Sequence, residues 1–471
     1  MEACKKFEEV LFLLKLESYF PCKITLRHVL KAKLNDKIEL GDIKWEILNK
    51  IINVDLRARD GVLADILDII KKQDIVEGKK SEIKPNDPTQ TEAPKNRTHK
   101  KKQPALFHPQ DVFNAIYLCC SPFLKQLIVS KLFMCRIAVP VIISSKQLTA
   151  GFLWPFNFVN TDGTNSKGKV FEGFLSDQDI KIVSFIRLGE TTFSKSTVLN
   201  KVLSKDPSFD TFYSQDSPMG STSKRTLGGT VEASYFIPYG QTKTGSFDDA
   251  ILFLNLRGDA AQYQLQLDVI KSVSNIVVVQ LQTMKLQNDD NIGKTLHSIY
   301  QSSSSVIILL ESNLNDDEEA LLEVKLNEIA ESTKSRLYCI DLKENGRYKG
   351  MNEIVEDTKS DISECISNVD CIQFSRFGQV LDDYGISCDY AEKECFDGCQ
   401  LADKMFEVIN AKSASIQHFW IELSKLKKKK YREKSLPLKR DIEKQIQQIR
   451  SQQLQHISHL PKMSSTMLNI L

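Results

Sequence analysis

The sequence predicts an α/β fold with a mostly parallel sheet, flanked on both sides by helical segments. Three observations predict it. Short β-rich runs recur at Lys181–Leu188, Val231–Pro238, Ala250–Leu256, Asn275–Leu281, Ser305–Leu310 and Arg336–Leu342. Helical patterns such as Lys195–Leu203 and Asp317–Glu331 separate several of them, and such alternation implies crossover connections and parallel neighbours. Before and after this region the apolar residues follow helical spacing instead.

Composition bounds the classes that fit. The 471 residues carry 63 Lys and Arg against 61 Asp and Glu, a net charge of +2, and 41% are hydrophobic. These are ordinary globular values, which exclude a wholly disordered or fibrous chain. No apolar run approaches the ~18 residues of a membrane helix, and the longest, Ile137 to Ile143, is interrupted by Pro140. Near-neutral charge argues against a chain that coats nucleic acid. The eleven cysteines are odd in number and scattered, unlike a secreted disulfide framework. Their densest group, Cys365, Cys371, Cys388, Cys395 and Cys399, has no CxxC pair and no nearby His, so reduced thiols are preferred to a zinc site. The expectation is a soluble intracellular protein.

The elements divide the chain as follows. Residues 1–76 form a helical N-terminal module, with Phe7, Val10, Leu11 and Leu14 on one stripe and Leu63, Ile66, Leu67 and Ile70 on another. Residues 77–105 are Pro- and Lys-rich, too poor in apolar side chains to repay ordering, and are expected to be a flexible basic linker. Residues 106–178 are expected to hold a buried helical segment, about His108 to Ile143, and then a loop over 160–178. The α/β core is placed at 179–412. A basic helical tail at 413–471 follows, with Pro437 separating two helical pieces.

The chemistry concentrates where the first β-rich run meets a helix. Gly189-Glu-Thr-Thr-Phe-Ser194-Lys195-Ser196 matches the phosphate-binding pattern G-x-x-x-x-G-K-[ST] at Gly189, Lys195 and Ser196. Such a loop needs backbone N–H groups around a β-phosphate, an ammonium on the β/γ oxygens and a hydroxyl on Mg²⁺. Gly189, Ser194, Lys195, Ser196 and Thr197 are therefore the candidate phosphate contacts, and Ser196 the candidate metal ligand. Ser194 stands where glycine is usual and where the backbone normally takes a φ that a side chain resists.

Order along the chain adds weight. A nucleotide switch carries a γ-phosphate sensor, D-x-x-G, after its third strand; here Asn255-Leu-Arg-Gly258 stands there, followed by Asp259. Gly258 can offer its N–H to a γ-phosphate. Asn255 is a weaker partner for Mg²⁺ than a carboxylate, and Asp259 replaces the usual water-orienting Gln. Between the two lies Lys224-Arg-Thr226-Leu-Gly-Gly-Thr230, where either Thr226 or Thr230 can complete the Mg²⁺ shell. After the fifth strand, Asn313-Leu-Asn-Asp316 resembles N-K-x-D, with Asp316 accepting from guanine, Asn313 bracing the loop and Leu314 in place of Lys.

These strings resemble the very large interferon-inducible GTPases and their relative, the up-regulator of cell proliferation. The resemblance rests on Phe185 to Asn200, Asn255 to Asp259 and Gly229 to Pro238, with His108-Pro-Gln-Asp-Val, Lys131 to Pro140, Leu13 to Leu26 and Phe419 to Leu423. It implies a P-loop GTPase-like G domain of that family's type, binding GTP or GDP with Mg²⁺, in the cytoplasm with the nucleus as the alternative. The Ser-Lys-Ser loop and the Asn-Leu-Arg-Gly switch are similar to the family's own departures from the Ras pattern. Large GTPases of this kind often pair G domains, so a homodimer is expected. The length suits a short or truncated member.

Two functions compete. The first is a GTP-binding switch or weak GTPase, cleaving GTP to GDP and phosphate. The second is a non-catalytic pseudo-GTPase scaffold whose helical arms bind protein partners, which Ser194, Asn255 and Asp259 favour. The run Lys100–Lys102 suits nuclear localisation, and Lys427–Lys430 nuclear localisation or an anionic surface, but a solvated linker and a solvated helix face are the commoner explanations.

Overall fold

A computed structural model describes residues 2–32, 39–55, 108–144, 149–159, 163–164, 170–171, 174–175, 178–204, 210–217, 220, 228–237, 247, 250–282, 290–311, 324, 336–341, 343–344, 347–389, 400 and 418–458. The helical pattern expected at 317–331 lies outside them save residue 324, as do the stripes at 63–70 and 401–408. Chain contacts gather 1–390 into one unit and 391–471 into another.

Helices α1 (Glu2–Leu13), α2 (Leu26–Lys31) and α3 (Ile43–Ile52) open the first unit, followed by α4 (Pro109–Cys119) and α5 (Pro122–Met134). Each of the last two starts with a cap and a proline. His108 accepts from the Gln110 N–H ahead of α4, and Ser121 from the Leu124 N–H ahead of α5, while Pro109 and Pro122 fill first-turn positions where no N–H is needed. Val10 of the first helix, Leu14 just past its end, Ile43, Ile47 and Ile51 of the third, and the buried faces of α4 and α5 share one apolar core. A one-residue bridge, Ile24 to Cys120, ties the N-terminal segment to the turn between α4 and α5.

Strand β1 (Val139–Ser144) then enters the sheet, with β2 (Thr149–Gly151) and the two-residue strands β3 (Gly163–Thr164) and β4 (Val170–Phe171) after it. This corrects two expectations. The helix expected up to Ile143 gives way to a strand because Val139-Pro-Val-Ile-Ile is β-branched and Pro140 cannot donate within a helix. Pro140 is accommodated at an irregularity, where the register against the neighbouring strand shifts between Pro140 and Ile142. The second is the stretch read as plain loop, which carries the β3–β4 pair.

The alternating region follows: β5 (Asp179–Leu188), α6 (Lys195–Leu203), β6 (Val231–Phe236), β7 (Ile251–Leu256), α7 (Gln264–Val273), β8 (Ile276–Gln282), α8 (Asp290–Ser302), β9 (Ser305–Glu311) and β10 (Arg336–Asp341). All six expected strands are present. Strands β11 (Lys343–Glu344) and β12 (Arg347–Tyr348), helix α9 (Met351–Ile366), strand β13 (Ile372–Gln373), helix α10 (Ser375–Asp383) and strand β14 (Ser387–Cys388) complete the unit.

The sheet runs β10-β9-β8-β5-β7-β6-β1-β2-β14, with β13 paired to the start of β5. From β10 through β7 every pairing is parallel, and β6 turns antiparallel. Alternate residues of β5 face opposite layers: Val183 and Phe185 meet Val198, Leu199 and Val202 of α6 and Ile354 and Ile362 of α9. Ile182, Ile186 and Leu188 meet the layer that holds Leu267 and Ile270 of α7. Each such buried side chain contributes roughly 1.5–3 kcal/mol of transfer free energy. Strand order departs in both directions from β5, so the crevice at its carboxyl end is a topological switch point, where open α/β sheets take their ligands.

The second unit contributes α11 (residues 418–432) and α12 (Leu436–Ser458), with Pro437 in the first turn of the latter. Leu423, Ile442 and Ile446 form a thin seam between them, and Lys430 pairs with Glu443. No helix among the described residues is long and apolar enough to cross a membrane. Cysteine burial is testable. Burial pushes the Cys119 thiol up to about 12 and raises Cys120 as well, whereas Cys339 and Cys371 are exposed. Iodoacetamide on the native protein is expected to modify Cys339 and Cys371 and spare Cys119 and Cys120 until denaturant is added. Mass-spectrometric mapping that finds Cys119 and Cys120 modified as readily would contradict this packing.

Candidate functional site

The loop leaves β5 at Gly189, whose φ of 73° is a left-handed conformation, and re-enters regular structure at Ser194. Ser194 has φ −75° and ψ 122°, an ordinary extended geometry for the residue before a helix. The serine in place of glycine therefore costs no backbone strain here. Its carbonyl accepts from Thr197 and Val198 N–H (3.0 and 3.3 Å), starting α6. Thr197 sends its hydroxyl to Asp216 (2.7 Å), on the segment after the helix.

Lys195 and Ser196 begin that helix and are nearly buried, 7% and 6% exposed. Asn255, at the end of β7 and fully buried, joins them: its Oδ1 accepts from Lys195 Nζ, and its Nδ2 donates to Ser196 Oγ (3.2 Å). An amide can accept on one side and donate on the other, which a carboxylate cannot. Asn255 Nδ2 also lies 3.4 Å from Glu232 Oε2. The same Glu232 oxygen receives Arg257 Nε at 2.8 Å, and Gln110 Nε2 donates to the other. Arg257 Nη2 also stands 2.8 Å from Glu232 but off hydrogen-bond geometry, so it attracts the carboxylate without spending its donors. Two cations and one carboxylate leave this cluster net positive.

Above it opens a cavity of about 250 Å³, lined by Arg187, Ser194, Lys195, Ser196, Arg257 and Gly258, with His108 on one wall. No carboxylate among the described residues lines it. His108 is 1% exposed, held by its capping bond and edge-on against Tyr213 (5.1 Å). Positive charge, hydroxyls and a helix start facing an uncharged opening favour an anion.

The two segments expected to act as switches meet over one ring. Gly229 (φ 83°) and Gly258 (φ 91°) both pack on Tyr263, where an added Cβ would come within 2.6 and 2.9 Å of ring carbons. Burial, and then the Asp259 charge beside it, holds the Tyr263 phenol above its usual range, so it stays neutral at physiological pH. Gly229→Ala combines a left-handed φ with this clash and is expected to cost about 1–3 kcal/mol of stability. An unchanged urea midpoint in that variant would contradict the packing. Thr230 is 1% exposed; its carbonyl accepts from Arg257 N–H (2.8 Å), and among the described residues its hydroxyl oxygen has no hydrogen-bond partner. Asp259 Oδ1 accepts from Gly189 N–H (3.0 Å) and from Ala261 N–H (3.2 Å), pinning the segment after β7 to the loop. Thr226, Asn313 and Asp316 lie outside the described residues.

Several site residues escaped sequence reasoning. Glu311 closes β9 and accepts from Thr192 N–H at 2.8 and 3.1 Å. Gln280 of β8 bridges Glu311 and the Phe193 carbonyl (3.1 Å each), and Gln282 adds a bond to Glu311 at 3.2 Å. A carboxylate ending an otherwise apolar strand was the available signal. Gln110, Glu232, Arg187 and Arg257 carried none, because what they touch is far away in sequence.

Comparison with known proteins decides the family. The sequence model for the up-regulator of cell proliferation-like domain matches residues 107–406. This chain belongs to the up-regulator of cell proliferation-like family. In this up-regulator-like chain the match starts just before His108, so α4, α5 and β1 belong to it together with the sheet. The human protein named interferon-induced very large GTPase 1 is 31% identical over 227 residues, covering 46% of this chain and 9% of the relative. Bovine up-regulator of cell proliferation is 26% identical over 326 residues, 64% of this chain and 34% of the relative. Human caspase recruitment domain-containing protein 6 is 27% identical over 249 residues, covering 50% and 22%. The chain spans about a third or less of the length of these relatives.

Proposed function

We propose that this chain binds GTP with Mg²⁺ at the loop from Gly189 to Ser196 and serves as a switch with weak or partner-dependent hydrolysis. The carrying observation is the buried Lys195–Asn255–Ser196 cluster beneath an acid-free cavity at the carboxyl end of the central strand. Lys195 would hold the β/γ-phosphate oxygens and Gly258 N–H the terminal phosphate. Two hydroxyls fit the ion: Ser196 at the helix start, and Thr230, whose buried oxygen lacks a partner among the described residues. The ion would neutralise charge on the β/γ oxygens. Thr230 is thus preferred to Thr226. Asn313 and Asp316 would choose guanine, and pairing of two G domains would complete the site in the cytoplasm or nucleus.

Slow turnover follows from Asp259. Its carboxylate is engaged with Gly189 and Ala261 N–H groups, leaving no side chain in that position to orient water. A scaffold without nucleotide is the second reading. It is favoured by Glu311 and Asp259, which already satisfy loop N–H groups that a phosphate would otherwise use. Titration of the chain with GTP, GDP and ATP in Mg²⁺, then single-turnover hydrolysis, tests both. Guanine-selective binding with slow cleavage supports the switch, and absence of nucleotide binding leaves the scaffold.

A further inference from the structure

The Arg187 guanidinium is unexplained by anything the fold requires. Arg187 is the penultimate residue of β5, two positions ahead of the loop glycine, and lines the same cavity as Lys195 and Gly258. Arg187 as a whole is only partly buried, but its Nε is buried and, among the described residues, has no hydrogen-bond partner, and no carboxylate pairs with the side chain. The contrast with Arg257 is direct, since that guanidinium is matched to Glu232. A buried N–H left unmatched costs the ligand-free protein stability, and no partner in the described fold accounts for it. Its natural acceptor is an anion seated in the cavity.

We propose that Arg187 is a specificity-determining residue that holds the terminal phosphate of a nucleoside triphosphate, separating triphosphate from diphosphate. This rests on the nucleotide-binding reading and deepens it. Lys195 sits at the helix start and is tied back to Asn255, so it serves the phosphate nearest the loop. Arg187 shares the cavity wall with Gly258, the position of the terminal-phosphate contact. A planar guanidinium fork suits two oxygens of one phosphoryl group, which a diphosphate does not place there. It also supplies positive charge at the end of the polyphosphate, where the chain has Asp259 instead of a neutral amide.

The test uses the full chain, Arg187→Met and Arg187→Lys, titrated in Mg²⁺ with GTPγS, GDP and inorganic tripolyphosphate, with ligand-free thermal midpoints alongside. Arg187→Met is expected to weaken GTPγS and tripolyphosphate roughly 10- to 100-fold, the value of one charge-assisted contact, and GDP by under about threefold. Arg187→Lys should fall between. The ligand-free midpoint of Arg187→Met should be unchanged or higher, because a buried unpaired N–H has gone. Equal losses for GTPγS and GDP, or none, would overturn the assignment. So would a lowered ligand-free midpoint, which would make Arg187 a structural residue, or a wild-type chain that binds neither GTPγS nor tripolyphosphate. Wild-type binding of tripolyphosphate without guanine nucleotide, lost in Arg187→Met, would sustain Arg187 as the anion residue while refuting the GTP reading.

Discussion

Lys195→Ala is expected to weaken GTP binding by at least about 30-fold while leaving the protein folded, because truncating a buried charged partner costs about 2–5 kcal/mol of affinity. Lys195 is 7% exposed and lines the cavity at the first helical position, so its ammonium would meet the phosphates with little competing water. The folded state has a compensation. Removing Lys195 leaves Asn255 Oδ1 without that donor, at about 1–3 kcal/mol, but also removes a cation from a net positive cluster. Thermal midpoints of variant and wild type should therefore agree within a few degrees. Calorimetric titration checks the affinity, and retained wild-type affinity would place the phosphates elsewhere.

Glu232→Ala is expected to produce the largest loss of stability, about 3–5 kcal/mol. Glu232 is 4% exposed and accepts from Arg257, Gln110 and Asn255, which come from two separate segments. Truncation strands a guanidinium that is 5% exposed and two amide donors in a dry interior. Replacing both charges together, Glu232→Leu with Arg257→Leu, should cost less than Glu232→Ala alone, since no buried charge is then orphaned. Urea unfolding with an unchanged slope measures both. A double variant less stable than the single would show that the pair earns its place by its own attraction.

What was legible in the sequence was local. The strands from β5 to β10 announce themselves as short β-branched runs, and α6 follows its loop directly, so Gly189, Lys195 and Ser196 could be placed together. Strand β1 was misread because a short apolar run has no periodicity to separate helix from strand, and only pairing with β6 decides it. Ser194 looked like a defect because its φ cannot be read from its identity; the extended conformation removes the conflict. Arg187, Gln110, Glu232, Gln280 and Glu311 acquire meaning only through contacts across 25 to 122 positions, or through the lack of one. Buried polar partners of this kind are a property of the tertiary fold. The two glycines beneath Tyr263 belong to the same class, since the ring that demands them comes from another segment.

Amide hydrogen exchange on the full chain, with and without saturating GTPγS and Mg²⁺, tests most directly whether the loop after β5 holds phosphate. Peptides covering 189–197 are predicted to slow by about tenfold or more, with smaller changes over 228–230 and none over 436–458. Unchanged exchange across 189–197 at saturation, or slowing confined to other segments, would contradict a phosphate site at this loop.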